Sequence, residues 1–127
     1  MIGYPASGKS TIAKTVFSSY YTVSGDIHKT ATAMLKDAEK HVTTNSIVFD
    51  STAGTKAKRH IFLLFAQKHN LPIRAIWVTT SIDDAMERNK QRAAETKTPK
   101  IPDVAFYIYR KNFEIPSEAE GFKLIVV

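Results

Sequence analysis

The chain opens with Gly3-Tyr4-Pro5-Ala6-Ser7-Gly8-Lys9-Ser10-Thr11, a complete match to the spacing G-x-x-x-x-G-K-[ST]. Glycines at these places let backbone wrap closely round phosphates, with loop N–H groups and the start of a helix as donors. Lys9 can then reach the β and γ oxygens of a nucleoside triphosphate, and the Ser10 hydroxyl can ligate Mg²⁺. Gly3, Ser7, Gly8 and Thr11 complete the expected cradle. Further along, Ser24-Gly25-Asp26 places a carboxylate just after a β-rich run, where ligands gather in open α/β sheets. Asp26 can serve there as general base to an attacking hydroxyl, or simply cap a turn. Asp50 ends the run Ile47-Val48-Phe49-Asp50 and reads as a carboxylate for Mg²⁺-bound water or for the acceptor, or as a cap of the Ser51-Thr52 turn. Arg88 and Arg92, four residues apart on a predicted helix, share a face. They could stabilise charge on a transferring phosphoryl group, or lie on a solvated surface.

These groups need a scaffold, and the pattern supplies one. Short β-rich runs at 20–23, 46–49, 73–78 and 123–127 alternate with helical stretches at 10–19, 30–41, 55–69, 82–94 and 104–113. Strands alternating with helices predict a parallel α/β sheet. Ser81 with Asp84 forms a capping-box pattern, Asn70-Leu71-Pro72 stops the third helix, and Gly121 follows a short turn at 117–120. In the third helix Ile61, Leu64 and Phe65 are assigned to the core, and Lys58, Arg59 and Lys68 to solvent. Only Met1 and Ile2 precede Gly3, too few for the buried strand that should lead into such a loop. The expectation is a first strand missing or truncated in a longer protein, or another segment in the central position.

At 127 residues and 43% hydrophobic, the sequence suits one domain over 1–127. No apolar run reaches the ~20 residues of a membrane span, and there is no secretory signal pattern. The absence of cysteine excludes disulfides, thiolate catalysis and Cys-ligated zinc, and an intracellular home is the default. The four histidines lack metal-ligand spacing and read as surface or structural. Eighteen Lys and Arg against twelve Asp and Glu give a net charge of +6, which favours anionic partners. Residues 88–100 concentrate it, with Arg88, Lys90, Arg92, Lys97 and Lys100 against Glu95 alone.

Taken together, these residues resemble the 5′-hydroxyl polynucleotide kinase family, in particular the kinase domain of bifunctional polynucleotide kinase 3′-phosphatases. The likeness rests on the phosphate loop, Asp26, Phe49-Asp50-Ser51-Thr52, the pair in Arg88-Asn89-Lys90-Gln91-Arg92, and the run from Ile101-Pro102-Asp103 to Glu120-Gly121-Phe122. It implies a three-layer α/β/α P-loop NTPase fold, use of ATP and Mg²⁺, and phosphorylation of DNA or RNA 5′-hydroxyl ends, as in strand-break repair. By the same resemblance Asp26 would be the base, Arg92 and Arg88 would belong to a lid, and Asp50 and Lys29 would face the acceptor. It also implies a nuclear location and a phosphatase domain in the parent protein, although the phosphatase signature Asp-x-Asp-Gly-Thr is absent from this chain. The family's Asp-x-Thr-Asn becomes Asp50-Ser51-Thr52-Ala53, losing an amide that could touch the acceptor. A small-molecule kinase of the same architecture and an inactive nucleotide-binding module are the competing expectations.

Overall fold

A computed structural model describes all 127 residues. Four short strands are each built mainly of apolar or β-branched residues: β1 Tyr21–Ser24, β2 Ile47–Asp50, β3 Arg74–Trp77 and β4 Lys123–Val126. The helices between them are α1 Lys9–Thr15, α2 Ala31–His41, α3 Lys56–Lys68, α4 Ile82–Glu95 and α5 Asp103–Asn112. Hydroxyl caps start three of them, with Thr30, Thr55 and Ser81 accepting from Ala33, Lys58 and Asp84 N–H groups. The helix α1 ends four residues early, because Val16-Phe17-Ser18-Ser19 are weak helix formers. Phe17 instead packs against Tyr20, whose hydroxyl accepts from Arg74.

All strand pairing is parallel, β1 with β2 and β3 with β4. The two pairs are joined through Met1–Gly3, which lies between β2 and β3. Ile2 N–H donates to Ile76 and its carbonyl accepts from Val78 N–H, while Gly3 N–H donates to Thr52 and the Met1 amine to Phe49. The central position is thus held by a single bridge, Ile2 to Trp77, and Ile2 is 2% exposed. One apolar cluster, with Val23, Met34, Phe62, Phe65 and Phe122 among its members, unites both pairs.

The face of α3 differs from the one its periodicity predicts. Phe62, Leu63, Phe65 and Ala66 are buried, whereas Leu64 is exposed and Ile61 half-buried. Arg59, expected in solvent, is 4% exposed. Its Nε and Nη2 donate to the two Glu120 carboxylate oxygens at 2.8 and 3.1 Å, and its Nη1 donates to the Ala53 carbonyl. Burial pushes the Glu120 carboxyl up, but Arg59 and the Ser117 N–H outweigh it and hold the group below the usual range. This fork fastens the loop after β2 to the turn before β4. Arg59→Ala is expected to cost about 3 kcal/mol in urea unfolding, since it leaves a half-buried carboxylate with only the Ser117 N–H and strands the Ala53 carbonyl. A loss under ~1 kcal/mol would show that the pair carries no structural weight.

Candidate functional site

The C-terminal ends of the strands open into a cleft of about 1460 Å³, lined by the phosphate loop and by the segments that follow β1, β2 and β3. Backbone geometry explains the loop's two glycines. A Cβ on Gly3 would meet Ser7 Oγ and the Val78 carbonyl, each at 2.9 Å, and Gly8 sits at φ +102, left-handed space that disfavours side chains. Ala6 also takes a positive φ of 57, so the loop holds a strained turn.

Within the loop Lys9 is 7% exposed, and its Nζ donates to the Tyr4 carbonyl and, at 3.4 Å, to Ser7 Oγ. Burial pulls its pKa from 10.5 to about 8, opposed by Asp50 and Asp26 and assisted by Arg92. The Ser10 hydroxyl donates to Asp50 Oδ2 at 2.6 Å, so the two residues form one polar pair beside the lysine. Tertiary structure thereby puts Asp50 on the phosphate side of the cleft. No group of three or more His, Cys, Asp or Glu side chains assembles as a metal cage. The Ser10–Asp50 pair nevertheless fits Mg²⁺, which commonly takes one or two protein oxygens and completes its shell with phosphate and water.

Arginines from α4 reach the loop from the far side. Arg88 Nη1 donates to the Ser7 carbonyl at 3.0 Å, beside the Thr80 hydroxyl, which donates to the same oxygen at 2.8 Å. Arg92 lines the cleft, and its Nε is a buried side-chain polar atom with no hydrogen-bond partner. Leaving such a donor unsatisfied costs about 1–3 kcal/mol, and a polyanion in the cleft would satisfy it. The cations of segment 88–100 divide between the cleft and other surfaces. Only Arg88 and Arg92 line the cleft, Asn89 between them is buried against Ile101, and Lys100 pairs with Asp103. Helical spacing is the reason, since Lys90 and Lys97 fall on other faces of α4 or beyond its end.

Asp26 is exposed at the end of β1, with its N–H donating to Ser24 Oγ and its carboxylate free of hydrogen bonds. Two residues on, His28 lies 2.8 Å from Asp37 on α2, and Asp37 also accepts from the Tyr21 hydroxyl. This contact, which metal-ligand spacing cannot reveal, is the side-chain tether of the Asp26 loop. Lys29 lines the same cleft and forms no ion pair. Tyr109 of α5 lies behind the phosphate loop and supports it. Its ring packs tilted against Tyr4 with centroids 4.8 Å apart, and its hydroxyl donates to the Thr52 carbonyl. A Cβ on Gly54 would come within 2.6 Å of that ring, which accounts for glycine there. The structure brings Ser7, Gly8, Lys9, Ser10, Thr11, Asp26, Lys29, Asp50, Arg88 and Arg92 to the lining of one cleft, with Gly3 packed behind the loop against Val78.

Residues 27–116 match the family described as AAA domain. The chain belongs to that family. The matched stretch of this AAA domain begins after the phosphate loop, so loop and family are independent observations that agree on a P-loop α/β domain. The chain is also 34% identical over 125 residues to the bifunctional polynucleotide phosphatase/kinase of Schizosaccharomyces pombe, covering 96% of this chain and 31% of that protein. A provisionally named bifunctional polynucleotide phosphatase/kinase of Acanthamoeba polyphaga mimivirus is 33% identical over 131 residues, covering 98% of this chain and 31% of its own length. The AAA domain thus spans about a third of the curated relatives it matches. Family and fold together make it a nucleotide-binding, P-loop kinase-like domain.

Lys9 makes this AAA domain sensitive to pH in a definite direction. Its folded pKa lies below the unfolded value, so between about pH 8 and 10.5 the unfolded chain holds a proton that the folded chain lacks. Stability of the nucleotide-free protein should rise with pH through that window, with about 3 kcal/mol as the full effect. A bound triphosphate favours the charged amine and reverses the trend. Nucleotide affinity is expected to be level below pH 8 and to fall toward ~10-fold per unit above it. Calorimetric titration with a non-hydrolysable ATP analogue from pH 7 to 9.5 checks this. A flat profile would separate Lys9 from the phosphates.

Proposed function

We propose that this chain transfers the γ-phosphoryl group of ATP to the 5′-hydroxyl end of DNA or RNA. The observation that supports it most is that Lys9, Asp26, Asp50 and Arg92 line one cleft, with Ser10 bonded to Asp50 and Arg92 Nε without a partner. That gathers a free carboxylate, a Ser–Asp pair and an unsatisfied guanidinium in one cleft, the parts phosphoryl transfer needs. Lys9 and the loop N–H groups hold the β and γ phosphates. Ser10 and Asp50 would hold Mg²⁺, which would supply charge neutralisation for the transferring phosphoryl group. Asp26 accepts the proton of the attacking hydroxyl as its oxygen bonds to the γ phosphorus and the bond from that phosphorus to the bridging oxygen breaks, releasing ADP. Arg92 stabilises the charge spreading over the equatorial oxygens, and Arg88 holds the Ser7 turn in place.

The relatives' names support a polynucleotide as acceptor, as does the unpaired Lys29 beside Asp26. The deciding experiment follows label from γ-³²P ATP and Mg²⁺ into a 5′-hydroxyl oligonucleotide, with a 5′-phosphorylated oligonucleotide and small neutral alcohols as parallel acceptors. Incorporation into the 5′-hydroxyl strand alone is expected. Transfer to the alcohols in preference to the oligonucleotide would move the acceptor class to a metabolite.

A further inference from the structure

The acceptor half of the cleft has a second wall that neither the motifs nor the reaction above uses. Helices α2 and α3, which follow β1 and β2, pack against each other, and both contribute residues to the cavity. Met34, Ile61 and Phe62 make an apolar floor there, the first and last of them buried. Cations stand at its two edges, Lys29 just before α2 and Lys58 in the first turn of α3. Both are exposed and neither has an ion-pair partner, in contrast to Lys68 and Lys100, which face carboxylates. An apolar floor flanked by unpaired cations matches a nucleotide, whose base and sugar can lie on the floor while its phosphates meet the edges.

We propose that Lys58 is a phosphate-contacting residue for the acceptor strand, which leaves the Asp26 end of the cleft over the first turns of α3 and not along the basic stretch of α4. The inference rests on the polynucleotide reading and adds a path and a residue to it. Its physical basis is that Lys58 lines the same cavity as Asp26 and Lys29, whereas Lys90 and Lys97 do not. Helical spacing reinforces it, because Lys58 and Ile61 are three apart and share the face turned to the cleft.

Counterion release supplies the test. Binding of a fluorescent 5′-hydroxyl oligothymidylate to the protein is measured across 50–300 mM KCl, for the parent chain and for Lys58→Ala, Lys58→Arg and Lys97→Ala. Each phosphate contact to a single strand contributes about 0.7 to the slope of log affinity on log salt. Lys58→Ala is expected to flatten that slope by ~0.7 and to weaken binding roughly 3- to 10-fold at the low-salt end. Affinity for an ATP analogue should stay unchanged in the same variant, which establishes that it is folded. Lys58→Arg should keep the parent slope, and Lys97→Ala should match the parent throughout. An unchanged slope in Lys58→Ala, or a flattened one in Lys97→Ala, would overturn the path while leaving the kinase reading intact. Oligonucleotide binding by the parent chain that is absent or insensitive to salt would overturn both.

Discussion

Lys9→Met is expected to abolish phosphoryl transfer, by at least ~10³-fold in kcat/KM, and at the same time to make the nucleotide-free protein more stable. The first effect follows from removing the one buried cation of the phosphate loop, whose charge must be present as negative charge moves from the γ phosphoryl group onto the leaving diphosphate. The second follows from the state of Lys9 before nucleotide binds. Its ammonium is buried, with its nitrogen directed at the Tyr4 carbonyl and Ser7 Oγ, and burial has already pulled its pKa to about 8. At pH 7 the folded protein therefore holds a charge that the unfolded chain would hold more easily. Methionine fills similar volume without that cost, and a gain of roughly 1–3 kcal/mol in urea unfolding at pH 7 is expected. The two readouts move in opposite directions, the signature of a residue retained for function at the expense of stability. A destabilised Lys9→Met protein would instead assign the lysine a structural role, and its activity loss would say nothing about phosphate.

Asp26→Ala should lower kcat by about 10²- to 10⁴-fold and leave ATP affinity at pH 7 within a factor of ~3. The carboxylate has no hydrogen-bond partner and is exposed, so its removal should change stability by no more than ~0.5 kcal/mol. Loss of activity without loss of fold or nucleotide binding is what a base acting on the acceptor predicts. A secondary effect is built into the charges: Asp26 helps keep Lys9 protonated, so the pH at which nucleotide affinity begins to fall should move lower in the variant. Single-turnover transfer and analogue titration on the same protein measure both. A large drop in ATP affinity at pH 7 would place Asp26 with the metal or the loop and leave the acceptor without a base.

The same two residues differ in how the sequence reveals them. Lys9 sits in a contiguous motif whose chemistry depends on local backbone, so neighbouring residues carry nearly all of the information. Asp26 and Asp50 are legible from position, since each ends a β-rich run and a parallel sheet gathers such ends at one edge. Asp50 cannot be divided between metal and acceptor by that argument. The 2.6 Å contact with Ser10, forty residues away in sequence, is a tertiary fact.

Elsewhere, local patterns mislead where a distant partner decides the outcome. Periodicity puts Arg59 in solvent, because nothing near it in sequence reveals that Glu120 will offer both carboxylate oxygens. Charge counting locates positive charge in 88–100, and the fold decides that of these cations Arg88 and Arg92 line the cleft. The structural reading of His28 agrees with the fold, where Asp37 on α2 holds it, but the partner itself is named only by the tertiary structure.

The α/β class, the phosphate loop, most element boundaries and the residues able to do the chemistry are all written in the amino-acid order, since they depend on short-range sterics, capping and alternation. Which charges meet is settled only by packing. It sets Asp50 against Ser10, leaves Arg92 Nε without a partner inside the cleft, and places Ile2 between β2 and β3 as the link joining both halves of the sheet. Such pairings join chain segments that are distant in sequence and adjacent only in the folded molecule. The burial that comes with them is what moves Lys9 from an ordinary surface amine to one with a pKa of about 8.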